Sequence, residues 1–318
     1  MGDAPKHPLT PSPSRPFMIL RLAARGSALS LAQVEIVRRM LGTAVETEVV
    51  TIRTTGDQLS HLDAAIEGKG IFTKEIDEAL LSGRADVGVH SLKDLPSKLP
   101  AGLVLAVIPA REDPSDALIA HPPRTFAALP RGARVGTSSP RRRSQLLAAR
   151  PDLQVSDARG NVDTRIRRLR EGRWDAIVLA RAGLARMQRL HEISEVFSSD
   201  VMLPAIGQGA LALVTREGDE DSQGMIAALD EPSAHLEARA ERALLTMLEA
   251  GCRAPLAGRA AASDGRLRLV AAVFSLSGDR SLREEGIGSA ESPENLGEAV
   301  ANKLLARGAA ELIEEARG

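Results

Sequence analysis

Short apolar runs alternate along the chain with segments whose hydrophobic positions recur at helical spacing, a pattern that predicts an α/β fold. Met18-Ala23 is strand-like, Ala28-Leu41 helical and Val45-Thr51 strand-like again. Phe72-Leu81 reads as helix, and Asp86-His90 and Leu103-Ile108 as strands. A second series opens near Asp116, with strands at Arg134-Gly136, Gln154-Ser156 and Ala176-Ala180 separated by helices at Arg141-Ala149 and Thr164-Glu171. Two such series predict two sheets. After the apolar run Leu211-Val214, the helical stretch Ala234-Ala250 leads into a third pattern. There Arg259-Ala262, Leu267-Phe274 and Ser281-Gly286 read as an antiparallel meander, closed by helices near Asn295-Arg307 and Ala309-Glu315.

At 318 residues the chain has room for two or three domains, and 43% hydrophobic with 26% charged residues describes a globular protein. No run approaches the length of a membrane span. The Pro- and Ser-rich stretch from Met1 to Pro16 lacks an apolar core and reads as a disordered tail, not a secretory signal. A net charge of -1 gives no general field for nucleic acid, and 2% aromatics leave few stacking platforms for single strands. The cations are six lysines against 35 arginines. The planar guanidinium fork suits carboxylates and phosphates, although a high-GC genome produces the same bias.

Cys252 is the single cysteine. It has no partner for an intramolecular disulfide and no nearby His with which to bind a metal, and together with the absence of a signal it points to a reducing cytoplasm. Two readings of it stand: a small buried filler, or a nucleophile to which something becomes attached. Gly251 before it allows close backbone approach, and Arg253 after it favours the thiolate.

Four places set a cation beside a turn that opens a helix: Arg25-Gly26-Ser27, Gly68-Lys69-Gly70, Gly136-Thr137-Ser138-Ser139-Pro140-Arg141-Arg142-Arg143, and Arg159-Gly160-Asn161 ahead of Arg165. Each start offers unpaired N–H groups and a positive dipole end to an anion. Any one alone is an ordinary cap with a surface arginine. Their recurrence in two consecutive α/β units predicts a ligand with several carboxylates or phosphates, long enough to touch many of them.

Two tempting motifs fail. Gly207-Gln208-Gly209-Ala210-Leu211-Ala212 fits G-x-G-x-x-A, but its glycines precede a strand, whereas a dinucleotide fingerprint follows one; a turn or an interdomain crossing is the better reading. His90, Ser91 and Asp94 are crowded into one short segment, a spacing that gives a hydrolase triad no support. That segment matters for another reason. It ends a strand in polar groups, where open α/β sheets bind ligands, so Asp94 is a candidate acid or electrostatic partner as well as a plain cap or ion-pair partner of Lys93.

With these residues in view the chain resembles the porphobilinogen deaminase family from about Met18 to about Glu315. The resemblance rests on Arg21-Leu-Ala-Ala-Arg25-Gly-Ser27, Gly68-Lys69-Gly70-Ile-Phe72-Thr-Lys74-Glu75 and Val89-His90-Ser91-Leu92-Lys93-Asp94-Leu95-Pro96. It continues through Arg111-Glu112-Asp113-Pro114, Gly136-Thr-Ser-Ser-Pro-Arg141-Arg142, Arg159-Gly160-Asn161-Val-Asp-Thr-Arg165, Leu203-Pro204-Ala-Ile-Gly207-Gln208-Gly209, Ala240-Glu241-Arg242-Ala243 and Gly251-Cys252. It implies two periplasmic-binding-protein-like α/β domains plus a smaller C-terminal α+β domain. Their bounds are placed at 17–114 with 206–230, at 115–205, and at 231–318, after the tail 1–16.

The resemblance also implies an activity: a transferase of tetrapyrrole (heme) biosynthesis that condenses four porphobilinogen molecules into hydroxymethylbilane, releasing ammonia at each addition. Growth starts on a dipyrromethane cofactor attached through a thioether, which falls on Cys252. The catalytic aspartate falls on Asp94, mainly as a carboxylate that steadies the developing cation and accepts from the pyrrole N–H. Lys93, Ser138, Ser139, Arg141 and Arg142, with Asp94, are implied to bind the cofactor, and Arg25, Ser27, Arg159, Arg165, Gln208, Lys69 and Phe72 the substrate. The implied protein is a cytoplasmic monomer that binds neither metal, nucleic acid nor membrane. Ala65, Pro140 and Ala250 depart from residues frequent in the family without touching Cys252 or Asp94. The alternative is a cytoplasmic anion-binding or effector-sensing protein on the same scaffold, which has no need of a covalent anchor.

Overall fold

A computed structural model of the chain describes residues 19–54, 73–249 and 254–317. The first sheet begins with β1 (Leu20–Arg25), α1 (Ala28–Leu41) and β2 (Thr47–Ile52), continues through α2 (Lys74–Leu81), β3 (Val87–Ser91) and β4 (Leu103–Val107), and pauses there. The chain then crosses into a second sheet. This comprises β5 (Asp116–Ala120), β6 (Arg134–Gly136), α3 (Pro140–Ala149), β7 (Gln154–Ser156), α4 (Val162–Arg170), β8 (Ala176–Ala180), α5 (Arg181–Arg186) and β9 (Glu195–Val196). A return crossing delivers β10 (Leu211–Arg216) to the first sheet.

The two sheets share one plan. Their strand orders are β2-β1-β3-β10-β4 and β7-β6-β8-β5-β9. In each, three parallel strands are followed by an antiparallel one that has just arrived from the other domain: β10 against β3, and β5 against β8. The carboxyl ends of the parallel strands in both sheets are therefore the ends from which the cation-bearing turns spring, the usual location of a ligand crevice.

Both faces of each sheet are covered, which is why the central strands read as continuous apolar runs. Leu20, Leu22 and Ala24 of β1 face the side of α1, with Val34 and Val37, whereas Ala23 faces the side of α2, with Ile76 and Leu80. In the second sheet Leu118, Val135 and Leu146 fill one face and Ile119, Ile166 and Ile177 the other.

The third unit follows α6 (Glu220–Ile226) and opens with α7 (Pro232–Met247), whose Ala234 and Ala238 pack into the core of the first sheet. Its meander is β11 (Leu256–Ser263), β12 (Arg266–Phe274) and β13 (Ser281–Ser289), paired antiparallel throughout and covered by α8 (Pro293–Ala306) and α9 (Ala309–Glu315). The observed architecture is thus two α/β domains of one plan and a smaller C-terminal α+β domain. Among the described residues no helix is long and apolar enough to cross a membrane.

Several edges differ from the sequence reading. β1 runs two residues further than its apolar core, to Arg25, because it pairs with β2 along its whole length. β13 continues past Gly286 to Ser289, held by its ladder to β12. α7 starts at Pro232 and stops at Met247, with Glu249 in a left-handed conformation just beyond. The short elements α5, β9 and α6 carried no recognisable period.

α7 and α8 meet at Gly297, where an added Cβ would lie 2.3 Å from the Ala240 carbonyl and 2.7 Å from the Ala243 side chain. Backbone cannot retreat as a flexible side chain can. Gly297→Ala should therefore lower stability by about 2 kcal/mol, the overpacking cost exceeding the gain in helix propensity. Urea denaturation followed by circular dichroism checks this, and a midpoint at or above that of the parent would refute it.

Candidate active site

Three of the four expected helix starts are side-chain caps, and the fourth, Gly68-Lys69-Gly70, lies outside the described residues. Ser27 Oγ accepts from Ser30 N at the head of α1, Ser139 Oγ from Arg142 N at the head of α3, and Asn161 Oδ1 from Thr164 N at the head of α4. Arg25 ends β1, and Ser138 is exposed at the turn after β6. In the turn after β7, Arg159 pairs with Asp157 at 3.0 Å, while Arg165 Nε donates to the Gly160 carbonyl at 2.8 Å. Lys93 and Asp94 lie on a single tight helical turn, Leu92–Asp94, that terminates β3. Lys69, Phe72 and Cys252 lie outside the described residues.

Arg141 and Arg142 differ from the solvated cations that three arginines in a row suggest. Both are buried, and both bind the fully buried Asp116 at 2.7 Å. Arg141 Nη1 also donates to Leu203 O, and Arg142 Nη1 to Val178 O. Burial alone would push the Asp116 carboxyl up, but the two guanidiniums outweigh it and hold the group well below the ordinary carboxylate range. Two cations on one carboxylate leave an excess positive charge. Arg141 Nε is buried without a hydrogen-bond partner among the described residues.

Gln208 links this cluster to the first domain. Its Nε2 donates to Pro114 O at 2.6 Å and to Asp116 Oδ1 at 3.0 Å, and its Oε1 accepts from Lys93 Nζ at 3.3 Å. The glycines around it belong to the interdomain crossing. Gly209 has φ +90°, and a Cβ there would stand 2.2 Å from the Glu112 carbonyl of the outgoing segment. The G-x-G pattern marks two chain segments passing at contact distance, the second of the two readings, turn or interdomain crossing, that the sequence leaves open.

Two recesses meet at Asp94. One, about 50 Å³, is lined by Arg25, Ser27, Gln33, His90 and Ser91. The other, about 630 Å³, opens between the domains and is lined by Lys93, Lys98, Ser139 and Arg141, with Glu249 and Ala254 from the C-terminal domain. Glu249 and Ala254 are the described residues on either side of 250–253, the stretch that contains Cys252. Asp94 is exposed and borders both recesses.

The surrounding cations are crowded. Lys93 is exposed on the cavity wall, and desolvation, then Arg142, pushes its ammonium down to about 8 against the pull of Asp94 and Asp116. Burial followed by Arg142 pushes Arg165 down to about 10. Arg186, which sequence reasoning missed, is pushed down to about 10 by burial, with Glu112 and Asp94 opposing, and donates to the Gly209 carbonyl at 2.5 Å. Asp116 was seen only as the start of a series, never as a site residue. A buried acid on a strand facing paired arginines leaves no local motif.

A triad is ruled out by geometry. His90 is buried and pushed down to about 4 by desolvation and by Arg25, so it is neutral, and its Nε2 has no partner among the described residues. Ser91 Oγ accepts from Gln33 Nε2 at 2.7 Å and is not bonded to the histidine Nε2 among the described residues.

Comparison with known proteins gives this arrangement a family. The family model for the porphobilinogen deaminase dipyromethane cofactor binding domain matches residues 20–224, and that for the porphobilinogen deaminase C-terminal domain matches residues 235–306. The chain is 47% identical to the porphobilinogen deaminase of Rubrobacter xylanophilus, covering 94% of this chain and 98% of that protein. It is 46% identical to that of Syntrophotalea carbinolica (92% and 95% covered) and 46% identical to that of Roseiflexus castenholzii (92% and 98% covered). Among solved structures it is similar to a YaeC-family lipoprotein from Enterococcus faecalis, with a TM-score of 0.42 and 13% identity over 66% of this chain and 90% of that one. On the family models and these near full-length identities, the chain belongs to the porphobilinogen deaminase family.

Proposed function

We propose that the protein condenses four porphobilinogen molecules, one at a time, onto a dipyrromethane primer held by a thioether to Cys252, releasing hydroxymethylbilane and ammonia. The observation that carries the reading is the position of Asp94, the carboxylate shared by a small cation-lined recess and a cavity bounded by all three domains. A cytoplasmic monomer needs no more than this one chain to enclose that site.

The cavity fits the primer. Its volume of about 630 Å³ suits a pair of pyrrole rings, Lys93, Lys98 and Arg141 on its wall suit their acidic side chains, and the unpartnered Arg141 Nε is a donor without an acceptor. Lys93, Ser138, Ser139, Arg141 and Arg142 would hold it, with Arg142 acting at a distance through its charge because its own hydrogen bonds go inward. When bound, the primer supplies a pyrrole α-carbon as the nucleophile that starts the chain.

Arg25 and Ser27 at the small recess, with Arg159 and Arg165 across the cleft, would bind the acetate and propionate of incoming porphobilinogen. Gln208 would act through Lys93, and Lys69 and Phe72 complete the proposed substrate set. In the condensation the exocyclic C–N bond breaks, its electron pair leaving on ammonia. A C–C bond forms from the methylene carbon to the pyrrole α-carbon, and the α-proton ends on the departing ammonia as ammonium. Asp94 would steady the methylene cation and relay that proton. The arginines balance carboxylates that stay in place throughout, so they bind without taking part in the bond changes.

Intact mass of the purified protein tests the anchor. A dipyrromethane adduct should be present on the parent chain and lost in Cys252→Ser; an unmodified parent from cells that make porphobilinogen is the result expected of an anion sensor and would sink the proposal. Asp94→Asn should keep the fold and lower kcat at least about a hundredfold, the usual worth of a positioned acid–base group. Near-normal single-turnover rates would remove Asp94 from the chemistry.

Lys93 gives a pH dependence with a definite sign. Its ammonium is charged below about 8 and neutral above, so attraction for carboxylates fades as pH rises through that value. The kcat/KM profile should fall along a limb near pH 8 that Lys93→Arg abolishes, since guanidinium stays charged. An unchanged profile in Lys93→Arg would assign the limb elsewhere.

A further inference from the structure

Trp174 is the only tryptophan of the chain, and it takes no part in the chemistry described above. It precedes β8, is 2% exposed, and lies beneath two of the cation-bearing turns at once. At Gly136, the residue that leads into Thr137-Ser138-Ser139, an added Cβ would stand 2.7 Å from Trp174 Cδ2, 2.8 Å from its Cε2 and 3.0 Å from the Ala158 side chain. Ala158, which therefore converges on the same spot, leads into Arg159-Gly160-Asn161. Trp174 Nε1 donates to Ser156 Oγ at 2.9 Å, and Ser156 O in turn accepts from Thr137 N at 2.8 Å.

The indole thus fills the space under the two turns. β6 and β7 are only three residues each, and their ladder ends at Gly136 and Ser156, where the turns begin. Beyond that point one backbone hydrogen bond, from Thr137 N to Ser156 O, remains, and ring volume and the indole N–H add to it. Small residues at 136 and 158 and a large one at 174 form a complementary set.

We propose that Trp174 is a positioning residue, which through Ser156 fixes the separation of the Thr137–Ser139 and Arg159–Asn161 turns and so sets the spacing at which the second domain offers donors to successive carboxylates. The proposal rests on the reading that Arg159 and Arg165 bind substrate. Asp94 belongs to the other domain and does not move with these turns. Loosening the wedge should therefore weaken substrate binding and leave the bond-making step alone, so the effect falls on KM and not on kcat.

The holoenzyme provides the test. With no tyrosine and one tryptophan, its intrinsic emission reports the indole environment directly. Ser156→Ala removes the hydrogen bond at an exposed position and should shift that emission, raise KM for porphobilinogen about fivefold and leave kcat within about twofold, the worth of one neutral hydrogen bond. Trp174→Phe should raise KM at least as much, and the double variant should be no worse than Trp174→Phe alone, because both changes break one contact. If Trp174→Phe does not fold, Ser156→Ala decides alone. Unshifted emission in Ser156→Ala, an unchanged KM, or a fall in kcat without a rise in KM overturns the proposal. Arg165→Leu, measured alongside, separates the two levels: an unchanged KM there defeats the substrate-binding reading, whereas a raised KM there with none in Ser156→Ala defeats only the role of Trp174.

Discussion

The Asp116 carboxylate, closed off from water between Arg141 and Arg142, is the constraint on which the site depends. Such a cluster contributes little net stability compared with apolar packing, because desolvation offsets most of the attraction. Its value is positional. Without the acid, two adjacent guanidiniums would sit buried with nothing to balance them, and breaking a buried pair of this kind costs about 3–5 kcal/mol. With it, the head of α3 is fastened to the middle of the second sheet through Val178 and to the return crossing through Leu203, and one positive charge remains in excess at the cleft.

A second buried acid does similar work on the other side of the crossing. Glu241 of α7, with no exposed surface, accepts from Arg111 Nη1 at 2.7 Å, from Gly207 N at 2.6 Å and from Ala260 N at 2.8 Å. Arg111 in turn donates through Nε to Gln208 O at 3.0 Å. Burial works against the charge of Arg111, but Glu241 and Glu237 overcome it and raise its affinity for the proton. Gln208 is the residue common to both clusters, its backbone carbonyl held by Arg111, which Glu241 of the C-terminal domain fixes in turn, and its side chain held by Asp116. Lys93, bound to that side chain, therefore has its position set by groups in all three domains, and its neighbour Asp94 shares the same short turn.

How much of this was legible in the sequence follows from how local each signal is. The strands and long helices were visible because periodicity and caps are properties of a few consecutive residues, as at Ser27, Ser139 and Asn161. α5 and α6, of six and seven residues, were not, because each spans too few turns to display a period. Cations at helix starts were visible; which of them are consumed internally was not, since Asp116 is 25 residues from Arg141 and 92 from Gln208 and meets them only after folding. Arg186 escaped notice for the same reason. A G-x-G ahead of a strand does not suit a nucleotide, so Gly207–Gly209 could be read as a turn or a crossing, but its partner, the Glu112 carbonyl, which decides for the crossing, could not be read.

The division of labour between the domains follows from the electrostatics. A ligand that carries many carboxylates needs fixed cations, and fixed cations near a catalytic acid would ordinarily neutralise it by direct pairing. Here each major cation is given a partner of its own: Arg141 and Arg142 have Asp116, Arg159 has Asp157, Lys93 has Gln208, and Arg186 has the Gly209 carbonyl. Asp94 is left exposed at the meeting of the two recesses. The same crowding lowers the proton affinity of Lys93 and Arg165, through burial first and Arg142 second, so the second domain holds more positive charge than its own acids relieve. Carboxylates entering the cleft would relieve it, and the gain is greatest where desolvation has already been met by folding. A tethered primer in that cleft would act as a counter-ion as well as a starting point, which would account for so many guanidiniums around Asp94, the one acidic side chain of the proposed bond chemistry.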